Sequence, residues 1–293
     1  MPAARDSCVN SSGMWLRAGL RFMRLVAIVF LVLAAVLYFA QRRLIYFPRH
    51  YPAGLVARLA AAGLAPVRFE TSHGTQWAYY VPPRALPGNV LPDSIWVVFG
   101  GNGSLALDWL GVLPPDPARR AGLLFVEYPG YGECDGTPSR PAIRESLPKA
   151  LPALAAALHV EPAQLASRLS VGGHSLGAAV ALEFAQLYPV RDIVLIAPFT
   201  SLKDMARRSV GWPLCEVLRD RYDNRTALTK LAARTPRPTL RIFHGAGDAL
   251  IPAKMGRELA EMHPGWAVLR EFPDAGHELV VTQAANEWNA LLR

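Results

Sequence analysis

From Phe22 to Ala40 the chain reads FMRLVAIVFLVLAAVLYFA, with Arg24 as its only charge. The hydrocarbon core of a bilayer takes about 20 apolar residues of helix, so this run fits one crossing if Arg24 snorkels from its end. A cleaved signal peptide and a buried helix of a soluble core are the competing readings. Arg17, Arg21 and Arg24 would make a basic n-region, but the run is long for an h-region. Tyr38-Phe39-Ala40 also lacks the paired small residues of a cleavage site. Gln41-Arg42-Arg43 closes the run as an interfacial anchor does. The sequence therefore favours a signal-anchor helix over 22–40, a leading tail at 1–21, a tether at 41–65 and one folded domain at 66–293. After the helix, Leu44-Ile45-Tyr46-Phe47-Pro48 is apolar and aromatic, as expected of a segment lying in the interface.

Basic residues at the leading end of the run (Arg17, Arg21, and Arg24 in its first turn) nearly balance those after it (Arg42, Arg43, Arg49), so charge alone does not orient it. A leading tail this short favours the amino terminus inside and the domain outside. The 31 basic residues include only four Lys, which together with the many Ala reads as the codon bias of a high-GC genome. The expected location is then a bacterial inner membrane with the domain on the periplasmic side. The formal net charge of +8 raises nucleic acid as a partner, yet the basic residues are scattered singly or in pairs. Without a basic stripe interleaved with aromatics, no nucleic-acid surface is expected. Three Cys and no CxxC pair exclude a disulfide-dense mini-domain and a zinc or dithiol centre.

Beyond residue 65, strand-like and helix-like runs alternate. Val67–Thr71 and Gln76–Val81 read as a hairpin across Ser72-His73-Gly74, and Ser94–Phe99 and Leu123–Glu127 as strands buried on both faces. Ile143–Leu158 has near-helical apolar spacing, with Pro148 and Pro152 expected to bend or interrupt it. Strand Arg168–Gly172, helix Leu176–Leu187, strands Ile193–Ile196 and Thr239–Phe243, helix Ala253–Met262, strand Ala267–Phe272 and helix Ala284–Leu292 follow. This order predicts an α/β fold, a mostly parallel sheet flanked by helices, with a small cap at about 200–237 where the alternation breaks.

Strand Arg168–Gly172 runs into Gly173-His174-Ser175-Leu176-Gly177 and then a helix, the context in which a G-x-S-x-G turn presents a strained, exposed serine hydroxyl. A serine hydroxyl is a weak nucleophile until a base takes its proton, and the base needs an acid to fix its tautomer. Asp248 follows strand Thr239–Phe243 and His277 follows the last strand, so Ser175, Asp248 and His277 fall in the chain order and at the sheet edge that this chemistry needs. Read singly, Asp248 is a turn carboxylate and His277 a loop histidine; His174 reads as a packing residue of the turn. Two amides should hold the developing oxyanion: Leu176, directly after the nucleophile, and Asn102 in the loop Gly100-Gly101-Asn102-Gly103 after strand Ser94–Phe99. No Lys-Ser/Thr pair completes a phosphate cradle there, and no cofactor or metal is implied. Cys134 and Cys215 both fall near the carboxyl edge of the sheet, either as a disulfide in an oxidising compartment or as two buried free thiols.

These stretches resemble the α/β-hydrolase superfamily over essentially all of residues 65–293. Within it the chain is similar to the single-pass membrane-anchored branch that includes fission-yeast cell-polarity hydrolases and animal protein depalmitoylases. The matching segments are Leu44–Pro48, Gly101-Asn102, Tyr128-Pro129-Gly130-Tyr131-Gly132, Gly136-Thr137-Pro138-Ser139, the Ser175 turn, His244-Gly245 with Asp248, and Gly276-His277. Gly100 stands where that branch often has His, and Pro129 where it often has Arg. The resemblance implies a membrane-anchored serine hydrolase acting on a small-molecule, lipid or acylated substrate. A serine peptidase of the same fold and a non-catalytic scaffold are the rival functions.

Overall fold

The computed structural model describes residues 9–87 and 90–293; residues 1–8 of the leading tail lie outside the described residues. Branched and aromatic runs form an eight-stranded sheet. β1 (Ala65–Thr71) and β2 (Gly74–Val81) pair antiparallel across the turn, and β2 lies antiparallel to β4 (Gly122–Val126). β3 (Ile95–Phe99), β4, β5 (Leu169–His174), β6 (Asp192–Ile196), β7 (Thr239–Gly245) and β8 (Ala267–Phe272) are parallel, giving the order β1-β2-β4-β3-β5-β6-β7-β8. Every residue of β3, β4 and β5 is buried, as the central strands of a sheet covered on both faces must be.

Among the described residues, two helical layers dominate. On one face α4 (Arg140–Ala157), α6 (Leu176–Leu187), α8 (Asn224–Ala232) and α9 (Ala253–Glu261) share a core with Val97, Phe99 and Leu124. On the other, α10 (Leu279–Ala290) and the short α3 (Trp109–Val112) cover Trp96, Val98 and Phe125. The remaining helices are α1 (Val9–Ile45), α2 (Leu55–Ala61), α5 (Pro162–Ala166) and α7 (Leu202–Val210), with 3-10 turns at Ala106–Asp108 and Leu214–Val217.

The structure differs from the sequence reading in four places. α4 runs unbroken through Pro148 and Pro152. Pro152 has no N–H to give the Pro148 carbonyl, and the Tyr188 hydroxyl donates to it instead at 3.0 Å. α10 begins at Leu279, five residues ahead of expectation, because Val280 and Val281 read as strand formers but pack as helix. Leu228 and Leu231 of α8 are fully buried in the main core, so the insert over the site is α7 and the turn Leu214–Val217. Residues 41–65 are packed against the domain and do not hang as a tether: Tyr46 is 2% exposed and Val56 is buried. Helix α1 is long and apolar enough, over Met14–Ile45, to span a membrane.

Candidate active site

The turn from β5 into α6 holds Ser175 at φ 57°, ψ −116°, a left-handed geometry that costs an L-residue about 1–3 kcal/mol. Both flanking glycines are required by contact. A Cβ at Gly173 would lie 2.3 Å from the Gly177 carbonyl oxygen, and one at Gly177 would lie 2.2 Å from that of Phe99. The Ser175 amide donates to the Ile196 carbonyl at 2.9 Å, fixing the turn to β6.

Asp248 sits in the loop after β7 and His277 in the loop after β8. The Asp248 carboxylate accepts from the Leu250 amide (2.9 Å) and the Ile251 amide (2.8 Å) through Oδ1, and from His277 Nδ1 through Oδ2 at 2.7 Å. Burial alone would push this carboxyl up. The His244 ring, with Nε2 3.6 Å from Oδ2, and hydrogen bonds from His277 and the Ile251 amide outweigh it and hold the group well below the usual carboxylate range. An ionised carboxylate only accepts, so the His277 proton is on Nδ1 and the Nε2 lone pair is free. Ser175 and His277 line one cavity of about 550 Å³. Among the described residues no hydrogen bond joins them, a common state before substrate closes the gap.

Two further histidines brace this arrangement. His244 Nε2 faces the Ile251 carbonyl at 2.9 Å and His174 Nε2 faces the His277 carbonyl at 3.1 Å, so each carries its proton there. Burial and the neighbouring His277 ring push His174 down to about 3, which keeps it neutral and makes it a prop for the His277 loop. His174, His277 and Glu278 bring three donor atoms within 4.8 Å of one another. With His174 Nε2 and His277 Nδ1 both donating to oxygen, each ring has one nitrogen left for any ligand.

Asn102 and Leu176 face the same site, and neither amide has an acceptor among the described residues. The loop carrying Asn102 is clamped by groups to which the sequence assigned no role at the site. Tyr128 Oη donates to the Gly100 carbonyl (2.7 Å) and Tyr131 Oη to the Asn102 carbonyl (2.6 Å). The Phe47 amide also donates to the Asn102 carbonyl (2.9 Å), while Asn102 Nδ2 donates to the Ile45 carbonyl (2.9 Å). Their sequence signals were the Tyr-Pro-Gly-Tyr-Gly motif and the segment Leu44–Pro48, neither of which reveals the contact.

Cys134 and Cys215 are both free and buried, the second of the two readings the sequence left open. Cys134 Sγ lies 3.2 Å from the Trp77 amide beneath β2, whereas Cys215 forms part of a cavity wall beside Leu176. That second cavity, about 220 Å³ and mainly apolar, runs from Ser175 between α7 and the end of α1.

Residues 86–233 match the family described as "Alpha/beta hydrolase family". An uncharacterised protein of Mycobacterium tuberculosis, Rv2307c, is 31% identical over 271 residues, 88% of each chain. Among solved structures, an alpha-beta hydrolase from Vibrio vulnificus superposes with a TM-score of 0.61 at 15% identity, covering 83% of this chain and 86% of its own. An esterase of Pyrococcus furiosus gives 0.58 at 15% identity, covering 84% and 95%. With the strand order, the glycine-flanked serine turn and these matches all in agreement, the chain belongs to the alpha/beta hydrolase family.

Proposed function

We propose that the protein is a membrane-anchored serine hydrolase that cleaves ester or thioester bonds of acyl or lipid-like substrates. The observation that carries this reading is the 2.7 Å bond from His277 Nδ1 to Asp248, which leaves Nε2 basic in the cavity shared with Ser175. Ser175 Oγ attacks the substrate carbonyl while His277 Nε2 takes its proton. The Asn102 and Leu176 amides donate to the oxyanion. As the tetrahedral intermediate collapses, His277 returns the proton to the departing alcohol or thiol, leaving an acyl-enzyme on Ser175. Water, deprotonated by His277, attacks the acyl carbonyl, and the acid leaves as Ser175 regains its proton. Asp248 keeps the tautomer and stabilises the imidazolium throughout.

The apolar cavity beside Ser175 supports an acyl substrate, and the esterase activity named for the Pyrococcus furiosus neighbour supports ester chemistry. Anchoring through residues 22–40, with the domain on the periplasmic face of a bacterial inner membrane, belongs to the same proposal. Similarity to the depalmitoylase branch extends it to thioesters. The test is hydrolysis of p-nitrophenyl esters from acetate to palmitate in detergent, wild type against Ser175→Ala. Loss of roughly 10⁴-fold or more in kcat is expected. Equal turnover by the two proteins would overturn the reading and leave the peptidase or the scaffold.

A further inference from the structure

We infer that the last turns of α1 form one wall of the acyl site, so that the acyl chain of a bilayer-resident ester reaches Ser175 along the helix from within the membrane. This rests on the hydrolase reading above. Leu37, Gln41, Leu44 and Ile45 line the same apolar cavity as Ser175. Their spacing of four, three and one places them on one face of a helix. Leu37 lies inside the apolar run 22–40, and from Leu37 to Ile45 the helix rises roughly 12 Å. The cavity wall thus begins in the segment that would cross hydrocarbon and ends at the nucleophile.

Depth is marked independently. The Arg219 guanidinium stacks over the Tyr38 ring at 5.0 Å, an aromatic–cation pair of the kind that sits at headgroup level. Leu37 is one residue deeper. On the cap side, Trp212 is 72% exposed just past α7, where an interfacial aromatic would enter the same zone. Helix α7 has no fully buried residue, yet Met205 and Ala206 face the cavity.

The wall is held in register by hydrogen bonds that an incidental contact would lack. Gln41, the one polar side chain on this face of α1, is 6% exposed. Its Nε2 donates to the Val217 carbonyl at 3.1 Å, and its Oε1 accepts from the Arg219 amide at 2.6 Å. Tyr46 Oη donates to the buried Asp220 of the cap at 2.9 Å. Ile45 and Phe47 bond directly to Asn102, so the helix exit, the cap and the oxyanion loop are one assembly. The ester carbonyl then lies at Ser175, the acyl chain points back towards Leu37, and the alcohol or thiol leaves through the more polar cavity lined by Ser104, His174 and His277.

The test uses full-length protein reconstituted in phosphatidylcholine vesicles. It reads the ratio of kcat/KM for p-nitrophenyl palmitate, which partitions into the bilayer, to that for p-nitrophenyl acetate. Leu37→Trp and Leu44→Trp narrow the α1 wall from two positions; Leu44 is already exposed, so a larger side chain there disturbs no core. Each should lower the ratio at least tenfold. Ala206→Trp, from the cap side, should do the same. Ala35→Trp, roughly 200° around α1 from Leu37, should leave the ratio at the wild-type value. A wild-type ratio in both Leu37→Trp and Leu44→Trp, with Ala206→Trp still lowering it, would overturn the bilayer route while leaving the hydrolase intact. If wild type hydrolyses neither ester in a Ser175-dependent way, both readings fall together.

Discussion

At the scale of single residues, the group whose energetics are most exposed to experiment is Glu127, which directly follows β4. It is fully buried; Tyr51 Oη donates to it in a very short contact, and the Ala106 amide lies 3.2 Å from each carboxyl oxygen. Burial pushes its carboxyl up to about 7, against the pull of these donors. The folded protein therefore holds this proton more tightly than the unfolded chain does. Its contribution to stability is complete below about pH 4.5 and is lost as pH rises through about 7. Across that window wild type should lose up to about 3 kcal/mol relative to Glu127→Gln, which does not titrate. Denaturant unfolding in detergent at pH 4.5, 6 and 7.5 measures the difference. Parallel pH profiles for the two proteins would show that Glu127 keeps an ordinary pKa. The Asp248 carboxyl has the opposite sign, held low by its donors, and so stays ionised across the same window.

At the scale of elements, α10 fixes the geometry of the His277 loop from below. Trp288 is fully buried, edge-on to Trp96 and Trp109 with ring centroids at 5.4 Å in both cases. It packs so closely on β5 that a Cβ at Gly172 would lie 2.3 Å from its ring. Trp288→Ala should cost about 3–5 kcal/mol of stability, read as a large drop in the midpoint of thermal unfolding. A loss under about 1 kcal/mol would mean that the site collapses around the cavity or that α10 is not a supporting element.

The elements that were legible in the sequence carried a local signal. β3 and β4 were continuous apolar runs, and Ser175, Asp248 and His277 each followed its own strand in the expected order. What stayed hidden depends on partners remote in sequence. Gln41 meets Arg219 across 178 positions, and Tyr131 meets Asn102 across 29. No periodicity encodes such pairs. The packing of α8 into the main core was likewise unreadable from Leu228 and Leu231, since an amphipathic helix shows that it has a buried face but not what covers it.

At the scale of the whole molecule, two cavities of different character meet at one serine. The apolar one is walled by the helix that would cross the membrane, and the more polar one holds His174 and His277. Under the proposed function, this arrangement would separate an acyl chain from its leaving group at the carbonyl between them. Ser175 is the atom-level pivot of that arrangement, held at a strained φ of 57° by two glycines that admit no side chain. The most direct measurement is labelling of the full-length protein in detergent with a fluorophosphonate, with the adduct located by peptide mass spectrometry. One adduct on Ser175 is predicted, forming at least 100-fold more slowly in Asp248→Asn, where the His277 tautomer is no longer enforced. No adduct on folded wild-type protein, or an adduct on any other residue, would contradict the account.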